Sequence, residues 1–331
     1  MSHTGRIDIR AIALDAIHHG AGTEGNTVVM RRQEVLLPDG SIDTVPFISG
    51  NSIRHMLRDA GTRFALEAMG VPEGSLSKPV VDLLFSGGSL GGKAAMTLAK
   101  ARRLAELFPL LPILGYSSGT RITGGRLEVW HLHLVAEQNL FRRPDHMPAD
   151  HPRYLVDGNA QVSREFGTRH DAARITHAAA YLALEDKTKG QLVADAPKGK
   201  AKAPKDEQST QMIYDWEVVM PGAEFTGGIV YRALKDAELS ALISALSHAC
   251  DGVAADGGYL YRVGAKAGTG HGRMSWHLSG LARPVATPAM VPSDALLPAV
   301  SEGGKARLDQ YREHLAQHRT DILAELEEIA A

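Results

Sequence analysis

The stretch "NSIRHMLRDAGTRFALEAMG", residues 51–70, decides the fold because it is the first clear helix of the chain. Asn51 or Ser52 is a suitable N-cap. Apolar side chains recur at helical spacing along one face, at Ile53, Met56, Leu57, Ala60 and Phe64. Arg54 and Arg58 lie four residues apart on a different face. The stretch therefore predicts an amphipathic helix that carries two guanidinium groups away from its apolar side.

The segments on either side of this helix are typical of strands. Polar and apolar side chains alternate over residues 6–17, and residues 27–47 predict an extended hairpin that turns at Pro38-Asp39-Gly40. Later in the chain the patterns predict a strand at 126–135, a strand at 225–233, a helix at 236–250 and a strand at about 259–278. The core order is then β-α-β-β-α-β, which predicts an α+β fold of the ferredoxin-like or RRM-like kind found in RNA-recognition sheets.

Composition limits the class of protein. The chain has 331 residues, of which 44% are hydrophobic and 22% charged, and this balance is typical of a globular protein. It contains no apolar run long enough for a membrane span, and its one cysteine, Cys250, gives no disulfide framework. The opening "MSHTGRIDIR" has no apolar signal region. We therefore expect a cytoplasmic protein with no membrane partner, while the net charge of −2 leaves nucleic-acid binding open.

Two glycine-rich stretches resemble nucleotide loops but lack the expected context. Gly20, Gly22 and Gly25 form G-x-G-x-x-G, but the residues that follow predict a strand instead of the helix that a dinucleotide needs. The second, "GGSLGGKA" at 87–94, has the spacing of a phosphate loop, with Ala94 in place of the hydroxyl residue that holds magnesium. A nucleoside triphosphatase that depends on Lys93 remains the weaker alternative, and no cofactor is predicted.

A third glycine loop, "VGAKAGTGHGRM" at 263–274, joins two predicted strands and carries Lys266, His271 and Arg273. Glycine allows backbone amides to approach a phosphate chain closely, and the cations add a salt-sensitive attraction. The loop is therefore a candidate contact for RNA phosphates.

Four stretches in this order resemble the RAMP superfamily of CRISPR-associated proteins: "FISGNSIRHMLRDA", "RLEVWHLHL", "MPGAEFTGGIVYRA" and "VGAKAGTGHGRMSW". The resemblance covers residues 5–69 and 126–280, and is greatest to the backbone subunit that polymerises along guide RNA (crRNA). It implies a ferredoxin-like palm with finger and thumb insertions. It also implies that guide phosphates contact the residues after the first strand, the start of the first helix and the glycine loop. In this chain those positions are Arg31, Arg32, Asn51, Ser52, Arg54, Arg58, Gly264, Lys266, Gly270, His271 and Arg273.

The resemblance also assigns the domain organisation. Residues 1–69 form the first half of the palm, 70–125 a finger-like helical insertion, 126–139 a palm strand, 140–224 a basic thumb-like insertion, 225–280 the second half of the palm, and 281–331 a C-terminal tail with a helix. About residues 160–215 correspond to the thumb, which in the family wedges against the guide-target duplex. The basic candidates there are Arg164, Arg169 and Arg174, and the candidate wedge residues are Met212 and Ile213.

RNA-cleaving relatives hold a catalytic aspartate after the first strand, and alignment places Asn26 at that position. An amide cannot act as the carboxylate base, so we expect no cleavage by this subunit. This departure, together with the unusual 70–125 segment and the long lysine-bearing insert, favours the type IV branch. Membership of that branch implies guide-RNA complexes that act on DNA targets in plasmid or antiviral defence. The expected partners are guide RNA, neighbouring copies of the chain, other CRISPR effector subunits and target nucleic acid, with DNA preferred.

The main alternative is a RAMP-type endoribonuclease that processes the guide precursor. His18 or His19 would then transfer the proton at neutral pH. The histidines of the chain lack a ligand spacing with carboxylates or cysteines, so no metal site is predicted.

Overall fold

The structure is a computed structural model that describes residues 2–88, 97–118, 120–145, 147–148, 150–169, 212–284, 289–291 and 302–330. Its strands are β1 Ser2–Ala13, β2 Gly20–Glu24, β3 Thr27–Met30, β4 Arg32–Leu36, β5 Ile42–Ile48, β6 Tyr116–Ser118, β7 Arg121–Thr123, β8 Leu127–Val129, β9 Leu132–Leu134, β10 Val162–Arg169, β11 Met212–Val219, β12 Glu224–Lys235, β13 Tyr259–Arg262, β14 Arg273–Pro284 and β15 Ala289–Val291. Its α-helices are α1 Gly50–Ala68, α2 Lys78–Val81, α3 Leu98–Leu107, α4 Leu110–Leu114, α5 Asp236–His248, α6 Glu302–Gln317 and α7 Arg319–Ala330.

The fold is α+β and its main sheet is antiparallel. Strand order across this sheet is β13-β14-β1-β12-β9-β5-β4, with β15 beside β14 and β8 beside β12. The strand predicted at 126–135 is two short strands, β8 and β9, and the segment predicted at about 259–278 is the hairpin of β13 and β14. The four core strands, numbered along the chain, are β1, β8 with β9, β12 and β14. They lie in the spatial order fourth, first, third, second, and all neighbouring pairs among them are antiparallel.

Alternation along β1 determines which face of the sheet is buried. Ile7, Ile9 and Ala11 are buried beneath the helices, whereas Arg6 and Asp8 project from the opposite face and stay partly exposed. Because side chains of a strand alternate between faces, one stretch supplies both the core and a polar open surface.

The first helix is confirmed, but its cap is not the predicted one. Ser49 is the N-cap, and its Oγ accepts a hydrogen bond from the Ser52 amide at 3.2 Å. Asn51 and Ser52 therefore lie inside the first turn. Gly50 is required at the helix start because a Cβ there would lie 2.2 Å from the carbonyl oxygen of Val129.

The helices form a layer on the buried face. Helix α1 packs against α5, where the space for a Cβ at Gly61 is limited by Ala245 at 3.0 Å. The tail, expected to be a single amphipathic helix, is two helices, α6 and α7, which bury Leu315 and Leu326 against the rest of the core. Arg103 on α3 forms an ion pair with Asp321 on α7 at 2.9 Å, so the tail holds the 70–125 segment against the core.

Strands β10, β11, β3 and β2 form a second sheet in that order. The pairing of β11 with β3 is parallel, whereas the other two pairs are antiparallel. Gly20, Gly22 and Gly25 therefore belong to a hairpin, since Gly25 has a φ of 62° and β3 follows directly. A phosphate loop is expected to follow a strand, but the residues before Gly87 form a π-helical turn, Asp82–Ser86.

Within the described ranges, no helix is both long enough and apolar enough to cross a lipid bilayer.

Candidate nucleic-acid interface

The dipeptide His18-His19 joins the third glycine loop to the start of α1. The carbonyl oxygen of His18 accepts a hydrogen bond from the Ala265 amide at 2.8 Å. Gly264 makes this contact possible, because its φ is 80° and a Cβ there would lie 2.4 Å from the same oxygen. The ring of His18 is buried, and its Nδ1 donates to the carbonyl of Glu217 at 2.7 Å. The dipeptide is therefore held by β11 while its backbone holds the glycine loop.

His19 completes the connection on the other side. Its Nε2 accepts from the Ser49 amide at 3.3 Å, and its carbonyl oxygen accepts from the Arg31 amide at 2.7 Å. Burial is the main cause that lowers the pKa of His19 to about 4, and the nearby charges of Arg31, His18 and His131 contribute to the same shift. The ring is therefore neutral near pH 7, as an acceptor nitrogen requires.

The glycine loop presents a cation on an aromatic pair. Lys266 has a left-handed φ of 65°, and its Nζ lies 3.6 Å from the ring centre of Trp216 and 5.3 Å from that of Tyr214. A desolvated cation over an aromatic face is stabilised by the ring quadrupole. The tip of the loop beyond Lys266 is open, since a Cβ added at Gly268 or Gly270 would meet no atom within 4 Å.

On the other side of the helix start, the contacts continue onto the open face of the main sheet. The Gly50 amide donates to His131 Nδ1 at 2.9 Å, and the rings of His131 and His133 are 5.8 Å apart. These two histidines line a groove of about 890 Å³. The groove is also lined by Arg6, Asp8, Trp130, Arg142, Arg143, Pro144, Asp145, Thr226, Gly227, Ser279 and Gly280.

Trp130 is the aromatic side chain of this groove. Its side chain lies on the sheet because position 228 is glycine, where a Cβ would lie 3.2 Å from Trp130 Cε3. The guanidinium of Arg6 stands 5.7 Å from the ring centre. An indole flanked by a guanidinium on a sheet floor of small residues is suited to stacking with a nucleobase.

The groove histidines are neutral as well. Burial lowers the pKa of His133 to about 4, and the charges of Arg142 and His131 act in the same direction. Burial also lowers the pKa of His131. Neutral His133 accepts a hydrogen bond from Arg142 at 2.8 Å, and Arg142 also donates to Gln33 at 3.0 Å. These two bonds orient Arg142 toward the groove, and neither partner is a carboxylate that would neutralise its charge.

The predicted cationic residues divide into free and neutralised groups. Arg31 is exposed and forms no ion pair with any described residue, and Asn51 is exposed in the first turn of α1 beside the partly buried Ser52. By contrast, three predicted cations face carboxylates. Arg32 pairs with Glu217 at 2.5 Å, His271 with Glu165 at 2.7 Å, and Arg273 with Asp15 at 2.6 Å.

The placement of Arg54 and Arg58 differs from the expectation that they face RNA. Arg58 is only 7% exposed and donates to the carbonyl oxygens of Leu114 and Gly115. Arg54 donates to the carbonyl oxygens of Leu114 and Leu127 at 2.8 and 2.6 Å. Both guanidinium groups therefore bind backbone within the molecule, and reversal of their charges would disturb the fold.

The thumb candidates are described only in part. Arg164 on β10 is exposed, and its guanidinium lies 3.8 Å from Asp215. Arg169 is paired with Met212, and Thr168 with Ile213, in the β10–β11 ladder. The side chains of Arg169, Met212 and Ile213, and the whole of Arg174, lie outside the described residues, as does Lys93 of the second glycine stretch.

Asn26 lies at the turn between β2 and β3, where it is exposed. Its carbonyl oxygen accepts from the Asp215 amide at 3.3 Å, and the Asp215 carboxylate accepts from the Thr27 hydroxyl at 2.7 Å. Across the described part of the chain, no group of three or more histidine, cysteine, aspartate or glutamate side chains is placed to hold a metal ion.

Sequence reasoning missed the aromatic side chains of the interface. Tyr214 and Trp216 lie in β11, and Trp130 lies between β8 and β9. They gave no signal because an aromatic residue in or beside a strand is ordinary core material. Arg6 and Arg142 were missed because they are about 136 residues apart in the chain and meet only across the sheet. The alternation in "WHLHL" did indicate that His131 and His133 share one face.

Comparisons with known proteins support this reading of the fold. The family model described as the CRISPR-associated negative auto-regulator DevR/Csa2 matches residues 7–82. A chain of a solved structure titled "Type IV-B CRISPR Complex" is similar over 87% of this chain and 94% of its own length, with 17% sequence identity and a TM-score of 0.50. None of the curated proteins compared with this chain matches it.

The matched residues 7–82 contain most of β1, the His18-His19 dipeptide and helix α1, which are part of the interface. The structural similarity extends over most of both chains. Together the two findings confirm the resemblance drawn from the sequence. Residues 7–82 are similar to a CRISPR-associated family, and the chain shares its fold with a chain of a type IV-B complex.

Proposed function

We propose that this chain is the guide-RNA-binding backbone subunit of a class 1 CRISPR effector complex of the type IV branch. It binds the phosphates of the guide without cleaving it, and neighbouring copies associate head to tail along the RNA. Contacts of this heterologous kind give open helical assemblies. The bound guide is presented to complementary nucleic acid, with DNA as the preferred target and with other CRISPR subunits as partners.

The palm is proposed to be ferredoxin-like. The spatial order of the core strands, fourth, first, third, second, supports this assignment, as do the two core helices on one face of the sheet. The basic segment between β10 and β11 is proposed to be the thumb.

One observation carries the proposal: a continuous chain of contacts joins three predicted RNA-binding segments. The glycine loop binds His18, His19 binds Ser49 at the start of α1, and Gly50 binds His131 at the edge of the groove. Exposed Arg31 and the aromatic-supported Lys266 lie along this path, and Arg6, Arg142 and Arg143 line the groove. We call this path the histidine strip, defined by Gly264–Gly270, His18, His19, Arg31, Ser49–Ser52, His131 and the groove.

The chemistry of the histidine strip supports RNA binding without base specificity. A few cations attract the phosphates of any RNA sequence, and an indole accepts any base by stacking. Sequence is then read by base pairing with the guide, as in other systems that delegate recognition to RNA.

Absence of catalysis is part of the proposal and has structural support. Asn26 supplies an amide where cleaving relatives have a carboxylate. His18 is buried with its Nδ1 bound to a carbonyl, and the Nε2 of His19 accepts the Ser49 amide. Burial of the His18 ring and the bond at His19 Nε2 support structural roles for both histidines.

The test is a charge-reversal pair on the histidine strip, Arg31→Glu with Lys266→Glu. We expect affinity for a single-stranded RNA of arbitrary sequence to fall by at least about tenfold, because two phosphate contacts become repulsive. The matched control is Lys305→Glu with Arg319→Glu, which makes the same change in net charge at exposed positions on α6 and the start of α7. Fluorescence anisotropy at two salt concentrations measures both affinities.

Equal loss of affinity in the two double variants would contradict the proposed path, since only overall charge would then matter. The same protein incubated with repeat RNA tests the endoribonuclease alternative. Cleavage that disappears in His19→Ala would support that alternative and overturn the non-catalytic assignment.

A further inference from the structure

Buried Arg58 and partly buried Arg54 have no counter-ion within the described part of the chain. Arg54 and Arg58 donate to backbone carbonyls, and neither has a carboxylate within 4.0 Å among the described residues. Burial, with a smaller contribution from the charge of Arg54, lowers the pKa of Arg58 to about 10, so the guanidinium remains cationic at pH 7. Keeping two neighbouring cations away from water without an anion raises the free energy of the folded state.

One nitrogen of Arg58 also lacks a hydrogen-bond partner. Its Nη1 is buried and makes no hydrogen bond, while Nη2 binds Leu114 and Gly115. Unsatisfied donors of buried charged groups are rare in folded proteins. Gly87 lies directly over the guanidinium, where a Cβ would be 3.3 Å from Cζ. Any larger residue at position 87 would crowd the guanidinium.

The guanidinium forms part of the wall of a pocket of about 470 Å³. Backbone and small residues make up most of the remaining lining: Ser86, Gly87, Gly88, Gly115, Ser117, Thr123, Gly124 and Gly125. Gly124 and Gly125 are exposed at one side, and no described group accepts a hydrogen bond from either amide. Glycine amides without an internal acceptor and a buried cation, lining one pocket, are the components of an oxyanion site.

We propose that this pocket, formed by α1, the π-helical turn and the β6–β7 hairpin, binds an oxyanion of the phosphate class through Arg58 and the amides of Gly124 and Gly125. The anion would satisfy Arg58 Nη1 and neutralise the uncompensated pair of arginines. The first two residues of the second glycine stretch, Gly87 and Gly88, are thereby given a role that does not depend on nucleotide hydrolysis. This proposal is independent of the histidine strip, whose residues do not line the pocket.

The test uses Gly124, because substitution there leaves the bonds of Arg58 intact. A Cβ at Gly124 would meet no atom within 4 Å, and its φ is not left-handed. Gly124→Asp places a negative charge at the pocket, and Gly124→Asn is its uncharged match in shape. Thermal unfolding of the full chain is followed during titration with inorganic phosphate or pyrophosphate, against sodium chloride of equal ionic strength.

We expect a saturable rise in the Tm of the wild-type protein that chloride does not reproduce, since a ligand that binds only the folded state stabilises it. Gly124→Asp should weaken the apparent affinity for phosphate by about tenfold or more, as repulsion at short range predicts. Gly124→Asn should stay within about twofold of wild type, because it adds no charge. A wild-type response equal to that of chloride would overturn the proposal, as would equal responses of the two variants.

A second arm identifies the source of the phosphate. If Gly124→Asp, but not Gly124→Asn, also weakens binding of single-stranded RNA, the site takes a phosphate of the RNA backbone. If RNA affinity is equal in both variants while the phosphate response differs, the site takes a free phosphate compound. Both results support an oxyanion site, and they separate it from the RNA path of the histidine strip.

Discussion

At the scale of single residues, the partner of each arginine decides its role. Arg31 is exposed, Arg32 and Arg273 are neutralised by carboxylates, and Arg58 supports backbone inside the molecule. A guanidinium has five donors in a rigid fork, so it serves equally well as a phosphate ligand or as a brace for carbonyl groups. Sequence alone cannot distinguish these roles.

Arg58→Met is expected to destabilise the fold. Loss of the guanidinium leaves the buried carbonyl oxygens of Leu114 and Gly115 with fewer donors, which costs on the order of 2 kcal/mol. Urea unfolding measures the change in the free energy of unfolding. Arg63→Met, at an exposed position one turn further along α1, is the control and should change it by less than about 0.5 kcal/mol. Equal stability of the two variants would contradict the bracing role.

His19 gives the fold a defined dependence on pH. Its pKa is about 4 in the folded protein and about 6.5 when unfolded. Between these values the unfolded chain binds a proton that the folded protein does not. The contribution of neutral His19 to the free energy of unfolding is therefore fully present above about pH 6.5 and is lost as the pH falls toward 4. The free energy of unfolding changes by up to about 1.4 kcal/mol per pH unit for this proton.

His19→Gln is expected to flatten this dependence. The glutamine oxygen can accept the Ser49 amide but does not titrate. Urea unfolding at a series of pH values from 7 to 4 measures the slope. The control is His55→Gln at an exposed position on α1, which should keep the wild-type slope. A slope in His19→Gln as steep as in the control would show that His19 does not govern this range.

At the scale of elements, the hairpin of β13 and β14 is fixed to the β1–β2 connection by backbone contacts. The Ala265 amide binds His18, and the Gly272 amide donates to the carbonyl of Ala16 at 3.0 Å. The position of the loop thus depends on close approach of two backbones, which only glycine at Gly264 allows. The aromatic pair on β11 then supports Lys266 from below.

Gly264→Ala is expected to separate the loop from His18. A Cβ at this position would lie 2.4 Å from the His18 carbonyl oxygen, in addition to the cost of a left-handed φ. Gly270→Ala is a close control, because its φ of 84° carries the same backbone cost of about 1 kcal/mol while its Cβ meets open space. RNA affinity and Tm should fall more in Gly264→Ala. Equal losses in both variants would mean that backbone strain alone, and not the contact with His18, accounts for the effect.

At the scale of the whole molecule, the sheet, the helix start and the glycine loop together present one extended surface. The C-terminal helices lie on the other side, where they hold the 70–125 segment through Arg103 and Ser77. Arg31, Asn51 and the tip of the glycine loop therefore stay exposed while the helices bury their apolar faces.

Assembly on RNA is expected to follow RNA length. With a series of single-stranded RNAs that double in length, the number of protein copies per complex should double at each step, because each copy covers a constant number of nucleotides. Mass photometry counts the copies. The logarithm of affinity should fall linearly with the logarithm of salt concentration, at about 0.7 per phosphate contacted. Complexes that keep one copy on every RNA would overturn the filament, although RNA binding itself would stand.

Much of the architecture could be read from local pattern. Alternation in residues 6–17 and the apolar face of residues 51–70 predicted β1 and α1, because burial on one side requires these periodicities. The cap was assigned two or three residues too late, because Ser49 and Ser52 are equally good acceptors by type. The tail was expected to be a single helix, and the break between Gln317 and Arg319 was not predicted because no proline or glycine marks it.

The sequence by itself determined the order of the elements, the presence of a glycine loop with cations, and the resemblance to RAMP proteins, since these depend on neighbours along the chain. Only the tertiary structure decided which cations are free, which aromatic rings support them, and that His18 and His19 join the loop to α1. Such contacts join residues far apart in the chain, for example His18 and Ala265, which are 247 positions apart. Their energies depend on burial and on the charge that each group meets across the fold, and neither quantity is encoded in local sequence.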